Sequence, residues 1–434
     1  MKTHQACSTT PSLPRRQFIQ TAAGLALGTT LASRSPLSAA ERRRSIGAND
    51  RIRIGIIGCG DRGCNAHMEG VHAHVAATNF EIVAVCDPWR LARERANAKV
   101  KAWFGRDARQ CASYRELLSW DGIDAVMIAS PDHLHTTHLE AAARAGKHIY
   151  VEKPLAMEMD RLVRAVDAVK AAGTVVQIGT QIRSLPGIVG ARELVKSGTF
   201  GKWSRIEECR NSERPYWYRY LKDVRAEDVD WKEFLADRPM RPFRSDLYSG
   251  WYGYADFSHG PISGLGAHFI DMVHFITGAK FPASCVCVGG TFTWQDEHQF
   301  TLPDCAQATW IYPEGFLVSS SNNMGNGYGS VRKFYGDKGV LKVDNWSAPT
   351  FSAEGAPRRD GKIRGDSPVP GVARPDHFLD WLQCMRTGQT PHAPIEAGYQ
   401  HAVAVLMAQE SYRTGRKTIY DHQSRTIRTA SNAA

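Results

Sequence analysis

Between residues 51 and 178, short runs rich in β-branched residues alternate with stretches of helical period. Residues 51–57, 81–86, 124–129, 147–151 and 174–178 are dominated by Ile, Val and Ala, the pattern of strands buried on both faces. Residues running to about 76, then 134–145 and 158–172, read as the helices between them. This alternation predicts a doubly wound parallel sheet, an α/β fold of Rossmann type, over residues 51–178. Further on the period changes to two. Residues 202–210, 284–293, 306–311, 316–321, 331–335 and 340–343 alternate apolar and polar positions between Gly, Pro and Asn turns. A mostly antiparallel sheet covered on one side is expected there. Helices from about Gly264, Pro375 and Ala397 complete an α+β domain spanning 179–421, with 353–373 as an exposed loop. The final helix is expected to return to the first domain.

Composition narrows the class. At 43% hydrophobic and 23% charged, the 434 residues suit two globular domains. The net charge of +10 includes four cations, Lys2, Arg15, Arg16 and Arg34, in a segment without Asp or Glu. The rest is dispersed, whereas a nucleic-acid binder clusters its basic residues on one face. No apolar stretch of about 18 residues follows the N-terminus, so no membrane insertion is expected of the mature chain. Ten cysteines lack CxxC spacing, and no metal is expected.

The first strand runs into Gly58-Cys59-Gly60-Asp61-Arg62-Gly63, a complete G-x-G-x-x-G. Gly58 permits the tight turn, Gly60 lets the backbone approach a pyrophosphate, and Gly63 lets the next helix pack against the strand. The helix N-terminus turns its free N–H groups to phosphate. Asp87 ends the second strand at the spacing of a ribose-binding acid. Such an acid accepts from both ribose hydroxyls and repels a 2′-phosphate, favouring NAD; Arg90 and Arg93 nearby leave NADP open.

Two further strand ends carry chemistry. One is Ser130-Pro131-Asp132-His133-Leu134-His135; the other is Tyr150-Val151-Glu152-Lys153-Pro154. Ligands of open α/β sheets lie beyond the carboxyl ends of the strands. A partly desolvated lysine at that place has its pKa lowered, and Lys153 is then suited to take a hydroxyl proton as hydride leaves carbon. His133, His135 and His138 spread over a strand-to-helix loop, so they need not converge on a metal.

With the GCGDRG turn and Asp87, these motifs resemble the Gfo/Idh/MocA family, named for glucose–fructose oxidoreductase and inositol dehydrogenase. The resemblance runs from about Arg51 to Asp421 and includes Gly179-Thr180-Gln181-Ile182-Arg183. It implies a dinucleotide held by Gly58, Gly60, Asp61, Arg62, Gly63, Asp87, Ser130, Pro131, His135, Glu152, Lys153 and Gln181. It also implies Lys153 as the catalytic base. Family members often carry D-x-G-x-H-x-x-D in the second domain; here Gly266, His268 and Asp271 match, but Gly264 stands at the first acid. His268 is therefore the expected acid/base partner, since imidazole titrates in the right range. A full lysine–aspartate–histidine relay is in doubt.

Aromatic and charged residues crowd 211–257. Stacking rings and hydroxyl-binding charges suit a sugar pocket, although most such rings serve to pack a long loop. Arg183, Tyr254, Asp256 and Asp271 are the expected substrate contacts. Residues 1–40, with Arg15-Arg16-Gln17-Phe18, a weak apolar run and Ser38-Ala39-Ala40, resemble a twin-arginine signal and imply periplasmic or other extracytoplasmic export. The chain is thus expected to be an exported NAD(P)-dependent oxidoreductase of a sugar, polyol or glycoside. Its nicotinamide is expected to stay tightly bound, in a homo-oligomer joined through the C-terminal sheet. Two alternatives are a redox-neutral glycosidase or epimerase working through a transient keto-sugar, and a non-catalytic dinucleotide or sugar sensor.

Overall fold

A computed structural model describes residues 46–430 except 48, 49, 359, 360, 362 and 364. The twin-arginine segment lies outside the described residues. Six strands, β1 (Ile52–Ile57), β2 (Phe80–Cys86), β3 (Arg109–Cys111), β4 (Ala125–Ile128), β5 (His148–Val151) and β6 (Val176–Ile178), form one sheet in the order β3-β2-β1-β4-β5-β6. Every pairing is parallel. β1, β4 and β5 are buried almost throughout, which is why their sequences read as unbroken apolar runs. The order reverses between β1 and β4, so a crevice opens beyond their carboxyl ends.

The local differences from expectation have physical causes. β3 is a three-residue edge strand, too short and too polar to show a period. The single helix expected after β1 is instead a π-helical turn, Arg62–His67, followed by two short α-helices, Met68–His72 and Val75–Thr78. Wider π turns often accompany functional sites.

The second sheet has ten strands: β7 (Trp203–Asn211), β8 (Ser284–Gly290), β9 (Cys305–Tyr312), β10 (Phe316–Asn323), β11 (Ser330–Gly336), β12 (Val340–Lys342), β13 (Thr350–Ser352), β14 (Ser367–Pro368), β15 (Thr418–Asp421) and β16 (Thr426–Thr429). Their order is β14-β13-β12-β11-β7-β10-β9-β8-β15-β16, and among the described residues only β7–β10 is a parallel pair. Inward residues of β9 and β10 alternate with outward ones. The covered face packs on the helices Gly266–Thr277 and Ile395–Thr414, and the Trp310 indole donates to the Ala404 carbonyl at 2.8 Å. The stretch 353–373 is not simply an exposed loop: β14 lies in it, and Ile363 and Val369 are buried. The edge hairpin β15–β16 carries the sheet past residue 421.

Helix Ile395–Thr414 does return to the parallel sheet. A Cβ on Gly398 would lie within 2.9 Å of Leu155 and Ile178, so only glycine lets the helix close onto both.

Candidate active site at the ends of the parallel strands

The glycine cradle is built as the spacing requires. Gly58 has φ +93°, and a Cβ there would stand 2.5 Å from the Ala129 carbonyl carbon. A Cβ on Gly63 would meet the Gly58 carbonyl oxygen at 1.9 Å, whereas one on Gly60 would meet nothing within 4 Å. The middle glycine therefore faces open space, where a diphosphate can approach backbone. Beside it lies a cleft of about 1020 Å³, part of it open to solvent, bordered by Asp87, Trp89, Tyr248 and Tyr252. The Asp87 carboxylate accepts the Cys59 N–H at 2.7 Å and the Trp89 N–H at 2.8 Å. Burial raises its pKa, and those two amides oppose the rise. Arg90 is engaged by Glu94 and Asp228, and Arg93 by the Asp87 carbonyl, so both hold the loop around the acid.

Glu152 is the hub of the next layer. Its buried carboxylate accepts from Arg62 at 2.8 Å, Gln181 at 3.0 Å and the Lys153 amide at 3.1 Å, and it meets His67 Nε2 at 2.8 Å. Burial would raise its pKa, but Arg62 and His67 hold it well below the usual carboxylate range. Gln181 also donates to the Tyr150 hydroxyl. Glu152, Arg62 and Gln181, expected on the cofactor, thus fix one another; Arg62 and Asp61 also border the cleft.

Lys153 follows, joined to Pro154 by a cis peptide bond. Lys153 is half-buried, and its Nζ donates to the Gly264 carbonyl at 2.7 Å. Burial lowers its pKa, against the opposing charges of Glu152 and Asp132; Arg62 and Arg210 assist the lowering. His268, two residues past Gly266, is held neutral: burial pushes its pKa well down, and the Lys153 charge adds to the effect. Its Nδ1 is buried without a hydrogen-bond partner.

Gly264 explains the missing acid. A Cβ there would stand 2.7 Å from the Tyr216 hydroxyl oxygen, so that hydroxyl occupies the space of a side chain at 264. The Tyr216 hydroxyl is buried and unpartnered among the described residues. Tyr216 was one ring among many in an aromatic run; nothing local distinguishes it. Two other members were legible but not singled out. Asp132 sits in the Ser130–His135 motif, accepts from Ser258 at 2.8 Å, and is raised by burial to about 6. Arg210 shares the inward parity of Ile206 and Glu208 on β7.

Several expected contacts have other tasks. Arg183 and Asp271 form a buried ion pair at 2.7 Å, with the guanidinium 5.1 Å from the Phe275 ring. The pair uses Asp271 Oδ2; Oδ1 is buried without a hydrogen bond, 3.7 Å from His401 Nδ1, so the acid faces the core. The Tyr254 hydroxyl donates to the His298 carbonyl at 2.8 Å, and its ring packs with Phe234, Leu247 and Phe257. Asp256 is a half-exposed surface acid bound to Arg241. His135 sets its two ring nitrogens on the Pro154 and Ser130 carbonyls at 2.7 and 2.8 Å, bracing both motif loops. The neighbouring histidines diverge: His133 faces the Phe234 carbonyl, and His138 faces the Ser130 hydroxyl.

Residues 52–180 match the GFO_IDH_MocA model, described as an oxidoreductase family with an NAD-binding Rossmann fold. Residues 232–419 match that family's C-terminal alpha/beta domain. The levoglucosan dehydrogenase of Pseudarthrobacter phenanthrenivorans is 27% identical over 68% of this chain and 62% of its own length. A glycosyl hydrolase family 109 protein of Shewanella sp. (strain ANA-3) is 25% identical over 54% of this chain and 49% of its own. The chain therefore spans less than two thirds of these relatives. The solved aldose-aldose oxidoreductase of Caulobacter crescentus superposes with TM-score 0.65 at 17% identity, covering 85% of this chain and 99% of that one. With both domains matched, the chain that carries this glycine cradle belongs to the Gfo/Idh/MocA oxidoreductase family.

Proposed function

We propose that this protein is an NAD-dependent oxidoreductase that oxidises a carbinol carbon of a sugar, polyol or glycoside. The observation that carries the reading is Lys153, which follows β5 at the carboxyl end of the parallel sheet and whose half-buried amine is held by the Gly264 carbonyl at 2.7 Å. A nicotinamide bound in the cradle supplies the hydride acceptor. Gly58, Gly60 and Gly63 seat the diphosphate on backbone, and Asp87 accepts from the ribose. Engagement of Arg90 and Arg93 by other groups favours NAD over its phosphorylated form. Neutral Lys153 Nζ takes the substrate hydroxyl proton, and the Gly264 carbonyl accepts from the ammonium so formed. Tyr216, in the space of the absent acid, donates its hydroxyl to the same substrate oxygen, and neutral His268 borders the site.

The Gly264 departure favours a second reading, in which a transient keto-sugar is re-reduced and no net oxidation results. The test is purified protein incubated with sugars and glycosides, without added NAD, while near-ultraviolet absorbance follows the bound nicotinamide. Wild-type protein should respond, and Lys153→Met should not. A response undiminished in Lys153→Met sinks the mechanism and revives a sensor role. Turnover that requires exogenous NAD sinks the tightly bound cofactor. The twin-arginine-like segment supports export with the cofactor aboard, testable by localising a tagged chain. On the open face of the second sheet Val286, Val288 and Ile311 are exposed, which supports a homo-oligomer there; light scattering would read it.

A further inference from the structure

The face of the second sheet turned toward Lys153 changes character along its strands. Ile206, Val318 and Phe334 form one apolar row, aligned by the register β10-β7-β11. Two residues on, the row is Glu208, Ser320 and Arg332; two further on it is Arg210, Asn322 and Ser330. A period of two places all nine on one face.

The middle row is complete in itself. Arg332 bonds Glu208 at 2.7 Å, Ser320 donates to the other carboxylate oxygen at 3.2 Å, and the guanidinium lies 4.7 Å from the Trp346 ring. Trp346 in turn stands 6.2 Å from the His268 ring, so the row borders the site. The last row is incomplete. Among the described residues the Arg210 guanidinium has no ion pair or hydrogen bond, and its Nη1 is fully buried. Its register neighbour Asn322 is also buried, with Oδ1 unpartnered. Arg210 is half-buried, so its charge is partly withdrawn from water, and an anion on the guanidinium would offset that partial desolvation. Glu208, the adjacent acid, is already taken by Arg332 and Ser320. Arg210 lies close enough for its charge to act on Lys153 and Tyr216.

We propose that Arg210 is the anion-binding arm of the substrate chamber and that the substrate is a sugar acid whose carboxylate seats on its guanidinium. The inference rests on Lys153 marking the substrate site. A planar guanidinium receives a carboxylate through two parallel N–H···O bonds. A phosphate would bring up to two negative charges to one unpaired cation, so the carboxylate is the better match. Asn322 Oδ1, an acceptor in the same row, is placed for a hydroxyl beside the acid.

The test titrates D-glucuronate, D-galacturonate and D-mannuronate calorimetrically into the NAD-loaded protein, against the parent hexoses and their 6-phosphates. At least one uronate should bind tenfold or more tightly than its parent hexose, about 1.4 kcal/mol. Arg210→Gln should reduce that preference to within about threefold, with NAD retention unchanged; Arg210→Lys should keep part of it. Equal or tighter binding of hexose or phosphate by the wild type overturns the inference. So does a preference that survives Arg210→Gln, or the absence of binding by every uronate. Uronate binding that never reduces the nicotinamide leaves the inference standing and sinks the oxidation reading. Oxidation of neutral hexoses in preference does the reverse.

Discussion

Adding one methyl group at Gly264 tests the central geometry directly. Gly264 has no positive φ, so alanine is compatible with its backbone, and any cost comes from space. The new Cβ would stand 2.7 Å from the Tyr216 hydroxyl oxygen, and real contacts of that kind rarely fall below about 3.4 Å. A tyrosine ring packed 5.3 Å from Trp217 and 5.4 Å from Tyr252 cannot freely make the retreat that this contact demands. Overpacking of this kind costs about 1–3 kcal/mol. In a Tyr216→Phe background the nearest atom becomes the ring carbon at 3.7 Å, an ordinary contact, and the cost should vanish. Tyr216→Phe alone removes a buried hydroxyl that lacks a partner, so it should be neutral or stabilising by about 1 kcal/mol. Thermal unfolding of the four proteins, at one saturating NAD concentration, gives the coupling energy of the cycle. The expected coupling is about 1–3 kcal/mol in favour of the double variant. If Gly264→Ala costs the same with and without the hydroxyl, Tyr216 does not occupy the vacant acid's space, and its proposed part in proton handling falls with it.

Three other outcomes are expected. With Lys153 as the proposed base, kcat/KM should rise with pH and level off below the ordinary lysine pKa of about 10.4. Asp132→Asn removes a charge that favours the ammonium form, so the rise should move to lower pH; a shift upward contradicts the assignment. Asp271→Ala leaves Arg183 buried and unpaired, and should destabilise the fold by about 3–5 kcal/mol in urea unfolding. A loss below 1 kcal/mol would mean the pair is solvated. Burial holds His133, His138 and His274 at about 3, and His259 and His377 at about 4. Their folded pKa values are depressed, so the unfolded chain binds more protons as pH falls below about 6.5. Stability from these groups is full above that pH and declines toward 4, by up to about 1.4 kcal/mol per histidine per pH unit. Asp132, raised to about 6, and Asp87, also raised by burial, work the other way, whereas buried His67 and His268, both lowered, add to the five. A Tm unchanged between pH 6.5 and 4.5 would refute the burial argument.

What could be read in sequence was what neighbours in the chain decide. β1 and its three glycines are contiguous, so the cradle's turn, its open middle position and its helix contact were all visible in six letters. Lys153 was visible because a strand end is local and the crevice of a parallel sheet always lies there. Arg183 and Asp271 each look like free charge in sequence, and only the helix Gly266–Thr277 brings them together as an ion pair at 2.7 Å. Tyr254 and Asp256 come from a segment whose aromatic composition carries no direction: one ring turned into the core, and the acid turned to the surface. Gly264 appeared in sequence only as a missing carboxylate. That a tyrosine from the segment after β7 fills the gap, and that Arg210 has no ion pair among the described residues while Glu208 is bonded to Arg332, are matters of distance between distant stretches of chain. Local periodicity determines which residues lie on a face; only packing determines what each of them meets.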